Sequence, residues 1–91
     1  MRMKNTSNTS ELIRSSKTLG VALQRYRRTE DLTQSALAKR AGLRQATISQ
    51  IENGLETVKL STIMDLLRAL DLELTLQPRT KGSHSDIEDM F

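Results

Sequence analysis

The sequence predicts an all-α fold that ends in one short strand. Apolar residues recur every three or four positions over residues 16–70, a spacing that places them on one face of a helix. Ser, Thr and Gly residues divide this stretch at intervals, as helix starts and stops do. From residue 72 apolar residues alternate with polar ones, which indicates a strand. We therefore predict four to five helices followed by a short C-terminal β-strand.

Length and composition limit what the protein can be. Its 91 residues allow one small domain. It has no cysteine, which excludes disulfides, thiolate zinc sites and thiol nucleophiles. No apolar run approaches the ~18 residues of a membrane span, and residues 1–10 lack the apolar core of a secretory signal. We expect a cytoplasmic protein.

Charge is distributed unevenly along the chain, although the net charge is only +3. Residues 14–44 contain eight basic and two acidic side chains, a balance of +6. Residues 71–91 contain two basic and five acidic side chains, a balance of −3. A basic half favours a polyanion as partner, and an acidic end favours solvent or protein. A basic surface and an acidic surface that both face solvent, with no partner, would give the same pattern. Charge alone therefore leaves both interpretations open.

Polar segments flank the predicted domain on both sides. Residues 1–14 begin with a stretch rich in Asn, Ser and Thr, which predicts a flexible N-terminal arm. Residues 15–77 form the predicted folded domain. Residues 78–91 start at the only proline and predict a disordered acidic C-terminal tail.

The first two helices are predicted over residues 16–28 and 34–41. The first follows serines that can act as caps, and its apolar face is formed by Leu19, Ala22, Leu23 and Tyr26. Thr33 has a side chain suited to the N-cap of the second helix. Gly42 ends that helix, because glycine adopts a positive φ without steric cost.

The third and fourth helices are predicted over residues 45–53 and 61–70. The third turns Ile48 and Ile51 inward and ends at Asn53 and Gly54, a pair suited to left-handed backbone. Ser61 is the predicted N-cap of the fourth helix. The inward face of the fourth helix is formed by Ile63, Leu66, Leu67 and Leu70.

The predicted strand carries Leu72, Leu74 and Leu76 at alternate positions. A lone strand leaves backbone N–H and C=O groups without partners. We therefore expect it to pair with the strand of a second copy, which gives a symmetric homodimer. The other interpretation is a frayed extension of the fourth helix.

Small and apolar residues across the second and third helices have the spacing of a helix-turn-helix. Ala38 suits a close helix crossing, Gly42 suits the turn, and Leu43 can fill the corner. The outward face of the third helix then carries hydrogen-bonding and small side chains: Arg44, Gln45, Ala46, Thr47, Ser49 and Gln50.

These residue types suit the reading of DNA bases. The N-terminal end of the second helix of such a unit enters the major groove. Glutamine can donate to and accept from an adenine edge, arginine can bind guanine, and the methyl groups of Ala and Thr can contact thymine. A helical hairpin in another all-α protein would have the same spacing, so the spacing alone leaves both interpretations open.

Residues 32–54, LTQSALAKRAGLRQATISQIENG, resemble the helix-turn-helix of the lambda-repressor-like (Cro/C1, or XRE) family. More narrowly, the segments GLRQATIS and LELTL are similar to the HipB-type antitoxins, which partner kinase toxins of the HipA type. The resemblance covers about residues 16–70. It implies a symmetric dimer that binds a palindromic DNA operator, represses its own operon and binds the toxin.

The resemblance also assigns roles by position. The residues that would face bases are Arg44, Gln45, Ala46 and Ser49. The residues that would lie near phosphates are Gln34, Ser35, Thr47 and Asn53. Arg44 stands where the family often has lysine, a departure that would change the preferred base. Arg27 and Glu52 correspond to a buried salt bridge in the family, with two solvated side chains as the alternative.

Catalysis, metal binding and cofactor binding are not predicted. The single histidine, His84, has no second ligand nearby in the sequence, and no nucleophile can be paired with a catalytic base. We expect no enzyme, no metal and no cofactor. The acidic tail contains three apolar residues that would anchor it to the toxin while its charges steer the encounter: Ile87, Met90 and Phe91.

Three functions are compatible with these observations. The first is a repressor that is also the antitoxin of a HipA-type module, and the second is a stand-alone XRE-type repressor without a toxin partner. The third is a protein-interaction adaptor that no longer binds DNA. The basic half coincides with the predicted reading unit, which disfavours the adaptor.

Overall fold

The computed structural model describes residues 10–79, and within that range the chain forms four helices. The all-α prediction is confirmed, and each helix lies within two residues of its predicted bounds. The helices are α1 (Ser16–Thr29), α2 (Gln34–Ala41), α3 (Gln45–Glu52) and α4 (Leu60–Ala69).

Side chains cap the first two helices at their N-termini. The Ser15 hydroxyl accepts a hydrogen bond from the backbone N–H of Thr18, and the Thr18 hydroxyl accepts one from the N–H of Ser15. This reciprocal arrangement is a capping box, with threonine in place of the usual glutamate. Thr33 caps α2 as predicted, because its hydroxyl accepts from the N–H of Ala36 at 3.0 Å.

The predicted N-cap of α4 is wrong. The cap is Lys59 and not Ser61, and it makes no hydrogen bond through its side chain. Leu60 already has helical geometry, and the N–H groups of Thr62 and Ile63 donate to the Lys59 carbonyl. A serine near the start of α4 therefore does not identify its N-cap, which is defined by the hydrogen bonds of the first turn.

All four described helices end in the same way. The residue after each C-cap, or the C-cap itself in α2, has a left-handed φ: Asp31 (58°), Gly42 (73°), Gly54 (90°) and Asp71 (59°). A leucine follows each of them, and its N–H donates to the carbonyl five residues earlier. The bonds run from Leu32 to Arg27, from Leu43 to Ala38, from Leu55 to Gln50 and from Leu72 to Leu67. These are Schellman endings, in which one backbone turn satisfies the last carbonyls of the helix.

The core lies between the four helices. Ile48 is the most deeply buried of its side chains, with no exposed surface, and Ala38 is 3% exposed on α2. Helix α3 packs on both α1 and α2, and α2 also packs on α4. The other members of the buried cluster are Leu23, Leu37, Ile51, Ile63, Leu66, Leu67 and Leu70. The core therefore fixes α3 from one side and leaves its other face exposed.

Gly20 is buried where α1 crosses the end of α3. A Cβ at this position would lie 2.4 Å from the carbonyl oxygen of Ile51 and 2.8 Å from that of Glu52. Those atoms belong to the backbone, so no rotamer change would relieve the contact. Glycine at this position permits α1 to approach α3 closely.

The predicted C-terminal strand does not form within residues 10–79 of a single chain, because no second strand is present to pair with it. Residues 72–79 continue past α4 without helical or strand structure. Leu74 is 52% exposed and Leu76 is 99% exposed. Met64 of α4 and Leu74 both line an open cleft of about 350 Å³. The pairing of residues 72–77 across a dimer stays a prediction.

The flanking segments fall only partly inside the described residues. Of the predicted arm, residues 10–14 are described, and Glu11 forms an ion pair with Arg25 of α1 at 2.5 Å. The predicted toxin-contact residues Ile87, Met90 and Phe91 lie outside the described range. None of the four described helices has the length and hydropathy that a bilayer crossing requires.

Candidate nucleic-acid interface

The exposed face of α3 carries the residues that the sequence predicted to face DNA. Gly42 turns the chain between α2 and α3, so the N-terminal end of α3 stands clear of the core. Thr47 and Ser49 are half-buried. The exposed positions on this face are Arg44, Gln45, Ala46 and Gln50, together with Asn53 just after the helix. The structure thus brings the six predicted α3 positions together on one surface.

Three of the predicted residues lie at the edges of this face. Ser35 is exposed in the first turn of α2, while Gln34 beside it is half-buried. Asn53 donates its side-chain amide to the carbonyl oxygen of Ser49 at 2.8 Å, so it closes the C-terminal end of α3. Its carboxamide oxygen is not used in that bond.

A buried ion pair joins α1 to the end of α3. The Arg27 Nε donates to Glu52 Oε2 at 2.6 Å, and Arg27 Nη2 donates to Glu52 Oε1 at 3.1 Å. The two side chains are 9% and 3% exposed. Arg27 also donates to the Leu32 carbonyl at 2.7 Å. The two residues that the resemblance paired are therefore in contact, in the two-point geometry that suits arginine and a carboxylate.

Glu52 is held in its ionised form despite its burial. Burial alone would raise its pKa, because a charged carboxylate is poorly solvated in the interior. Hydrogen bonds from Arg27, Gln34 and Gln24, together with the charge of Arg27, outweigh that effect and lower the pKa of Glu52 below its usual value. At neutral pH the carboxylate is therefore an acceptor with no proton to donate.

A chain of side-chain hydrogen bonds runs from this carboxylate to the exposed face of α3. Gln34 Nε2 donates to Glu52 Oε1 at 3.0 Å. Gln45 Nε2 donates to Gln34 Oε1 at 2.9 Å. We call Glu52, Gln34 and Gln45 the amide chain. It connects a buried charge to the first residue of the helix face that is available to DNA.

Sequence reasoning missed both the amide chain and Gln24. Gln24 Nε2 donates to Glu52 Oε1 at 3.4 Å, across 28 residues of sequence. The sequence predicts Gln34 only as a residue near a phosphate. Local spacing carries no signal for these contacts, since they depend on how α1, α2 and α3 pack. Among residues 10–79, no group of His, Asp and Glu side chains could hold a metal ion.

The α2–turn–α3 unit and its exposed polar face define a helix-turn-helix protein of the DNA-binding class. The helix-turn-helix family HTH_3 matches residues 23–77. The chain is 41% identical over 70 residues to Antitoxin HipB of Escherichia coli (strain K12), a match that covers 77% of this chain and 80% of that protein. The chain belongs to this helix-turn-helix family, among the HipB-type antitoxins.

Solved structures of related proteins share the fold. A chain of the HipA-HipB-O2-O3 complex is 37% identical with a TM-score of 0.73, and the match covers 78% of this chain and 100% of that one. The restriction-modification controller protein C.AhdI from Aeromonas hydrophila is 33% identical with a TM-score of 0.61, covering 64% of this chain and 88% of that one. The resemblance identified in the sequence is confirmed.

Proposed function

We propose that the protein is a sequence-specific DNA-binding repressor that acts as the antitoxin of a HipA-type toxin-antitoxin module. The observation that carries this proposal is the match to a whole chain of a HipA-HipB-O2-O3 complex. The exposed polar face of α3 supports DNA binding independently. In this function the protein represses its own operon, binds a toxin kinase, catalyses no reaction itself and works in the cytoplasm, where its DNA lies.

Base readout is assigned to the N-terminal half of α3. Its exposed end can enter the major groove, where side chains distinguish base pairs by their donors and acceptors. The proposed base-facing residues are Arg44, Gln45, Ala46 and Ser49, with Gln50 beside them. The proposed phosphate contacts are Gln34, Ser35, Thr47 and Asn53.

We expect Gln45→Ala to lower affinity for the preferred operator by roughly 1–3 kcal/mol and to relax the preference at one base pair. The reason is the loss of a carboxamide that can both donate to and accept from a base edge. The measurement is fluorescence anisotropy at fixed salt, with an operator selected from random duplexes and a scrambled duplex of equal length.

Ser35→Ala is the matched control for this measurement, because it removes a proposed phosphate contact. It should weaken both duplexes by the same factor. The assignment of base readout to Gln45 would be wrong if Gln45→Ala also reduced binding to both duplexes equally. Affinity of the unaltered protein should fall steeply with salt, because phosphate contacts release counterions; an adaptor without DNA binding would show no such slope.

We propose that residues 72–77 pair across a homodimer. Met64 and Leu74 line one open cleft, and both are exposed in the single chain, as is Leu76. Exposed apolar side chains in and near this segment support its burial by a second copy. Two-fold symmetry then requires a palindromic operator, with half-sites spaced so that both α3 helices reach one side of the duplex.

We expect Leu74→Pro to convert the dimer to monomer in sedimentation experiments. Proline removes a backbone N–H and cannot sit inside a strand ladder. Leu74→Ala is the control, since it shortens the side chain but keeps the N–H. An unchanged dimer for Leu74→Pro would rule out this segment as a main part of the interface.

We propose that the acidic tail contacts the toxin through Ile87, Met90 and Phe91. Its mixture of acidic and apolar residues suits a basic partner with an apolar pocket. Removing residues 86–91 should weaken toxin binding in calorimetry and leave DNA affinity nearly unchanged. Equal toxin affinity for the truncated and full-length chains would contradict this assignment.

A second candidate is a stand-alone repressor without a toxin partner. The similarity to the controller protein C.AhdI supports it, because that protein shares the helix-turn-helix fold. Copurification of the native complex separates the two functions. A kinase-sized protein that remains bound to this chain through purification supports the antitoxin, and its absence supports the stand-alone repressor.

A further inference from the structure

The first turn of α1 packs against the end of α3. A Cβ at Gly54 would lie 3.3 Å from the Cα of Lys17 and 3.6 Å from its backbone nitrogen. One turn further along α1, Gly20 permits the close crossing with the last residues of α3. Because neither glycine has a side chain, the backbone of Lys17 lies at a fixed position beside Asn53 and Gly54.

The Lys17 side chain has no partner in the part of the chain that the structure describes. It is exposed, and over residues 10–79 it takes part in no ion pair and no side-chain hydrogen bond. Two arginines of the same helix differ from it, since Arg25 pairs with Glu11 and Arg27 pairs with Glu52. The charge of Lys17 is therefore available to a ligand.

The position of Lys17 does not favour the stability of α1. Lys17 lies in the first turn, where the helix dipole favours acidic side chains and disfavours cations. That turn contains no acidic residue that would offset the charge. A cation at this position lowers the stability of the helix, so the helix itself does not account for its presence.

The neighbouring end of α3 carries Asn53, which is a proposed phosphate contact. Lysine holds its ammonium on a flexible four-carbon stem and binds phosphate as a point charge. Since the backbone of Lys17 lies beside Asn53, its ammonium can reach the same stretch of the DNA backbone. A phosphate there would also offset the unfavourable placement of the cation at the start of α1.

We infer that Lys17 is a phosphate contact beside the C-terminal end of α3, so that α1 forms part of the DNA interface together with α2 and α3. This inference rests on the proposed DNA-binding function. It extends the interface beyond the proposed residues of α2 and α3. A phosphate contact adds affinity for DNA of any sequence, because it carries no information about the bases.

The test is the salt dependence of DNA affinity for Lys17→Gln. Fluorescence anisotropy measures binding of the operator and of a scrambled duplex of equal length, between about 50 and 200 mM salt. Loss of one phosphate contact should reduce the slope of log affinity against log salt by roughly 0.9. At each salt concentration, the two duplexes should be weakened by the same factor.

A second measurement separates DNA binding from folding. The urea midpoint of Lys17→Gln should equal or exceed that of the unaltered protein, because an unfavourable charge leaves the first turn of α1. DNA affinity should therefore fall without any loss of stability. A lower midpoint together with weaker DNA binding would assign Lys17 to the fold and overturn the inference.

Two variants are matched controls. Lys17→Arg keeps the positive charge, so the salt slope should be retained. Arg25→Gln removes the same charge from another position of α1, where Glu11 already pairs with it, so the slope should again be retained. An equal decrease of the slope in Lys17→Gln and Arg25→Gln would indicate a general effect of net charge and overturn the inference.

The remaining outcomes distinguish this inference from the DNA-binding function on which it rests. An unchanged slope in Lys17→Gln, with a steep slope for the unaltered protein, overturns the contact while the DNA-binding function stands. Weaker binding of Lys17→Gln to the operator alone also overturns it, since that result assigns Lys17 to a base. No preference of the unaltered protein for any operator over scrambled DNA would overturn the DNA-binding function as well.

Discussion

Arg27→Met should lower the free energy of unfolding by about 3–5 kcal/mol, the cost of removing one partner from a buried ion pair. Glu52 would keep its buried carboxylate without a counter-charge, because its side chain is only 3% exposed. Methionine matches the length of the arginine stem, so the packing of that stem changes little. Urea unfolding followed by circular dichroism measures the difference.

A double-mutant cycle distinguishes unpaired charge from lost packing. Arg27→Met combined with Glu52→Met removes both charges, and such apolar replacements are often neutral or stabilising. The double variant should therefore regain most of the stability that Arg27→Met loses. If it were as unstable as the single variant, the shape of the pair and not its charge would account for the loss.

The loss caused by Arg27→Met should also depend on pH. The folded-state pKa of Glu52 is lowered, so its contribution is complete above the ordinary glutamate pKa of ~4.3 and is lost as pH falls through the lower folded value. Without Arg27 the pKa of Glu52 rises relative to the unaltered protein, and the carboxylate neutralises more readily. The unfolded states titrate alike, so the difference in stability between the two proteins should shrink as pH falls from the folded-state pKa of Glu52 in the variant towards its lower value in the unaltered protein.

Gly20→Ala should destabilise the protein by about 3 kcal/mol, at the upper end of the usual cost of overpacking. The added methyl would meet the carbonyl oxygens of Ile51 and Glu52, at 2.4 and 2.8 Å. Backbone atoms cannot move aside without shifting the end of α3. The measurement is again the free energy of unfolding from urea titration.

The sign of the Gly20→Ala effect on stability distinguishes a close contact between α1 and α3 from free space around Gly20. In a helix with free space, Gly→Ala stabilises by about 1 kcal/mol through helix propensity. The exposed neighbour Val21 provides the control, and Val21→Ala should change stability by less than about 0.5 kcal/mol. A Gly20→Ala protein that is as stable as the original would show that α1 can withdraw from α3 without cost.

Sequence reasoning located the helices because their signals are local. The apolar period of Ile63, Leu66 and Leu67 identifies α4, and Gly42 identifies the turn before α3. Sequence reasoning misplaced the N-cap of α4, because a serine near the start of a helix does not always cap that helix with its side chain. The strand over residues 72–77 could not be tested within a single chain, since a ladder requires a second strand.

The candidate site was predictable in its residue types but not in its connections. Exposed Gln45 and Arg44 follow from periodicity once α3 is recognised. The hydrogen bonds of Gln34 to Gln45 and Glu52 span 11 and 18 residues, and they exist only because three helices meet at that point. The spacing of residues in a single sequence does not show where three helices pack against one another.

The four Schellman endings and the Arg27 to Glu52 ion pair differ in the chain entropy that is lost when each contact forms. Each closes a loop of five residues, whereas the Arg27 to Glu52 contact closes one of 25. Loop-closure entropy grows with the logarithm of length, so the longer closure costs on the order of 1 kcal/mol more. The helix ends are thus fixed by neighbouring residues at low entropic cost. The larger ordering cost falls on the contacts that prepare the face of α3 for DNA.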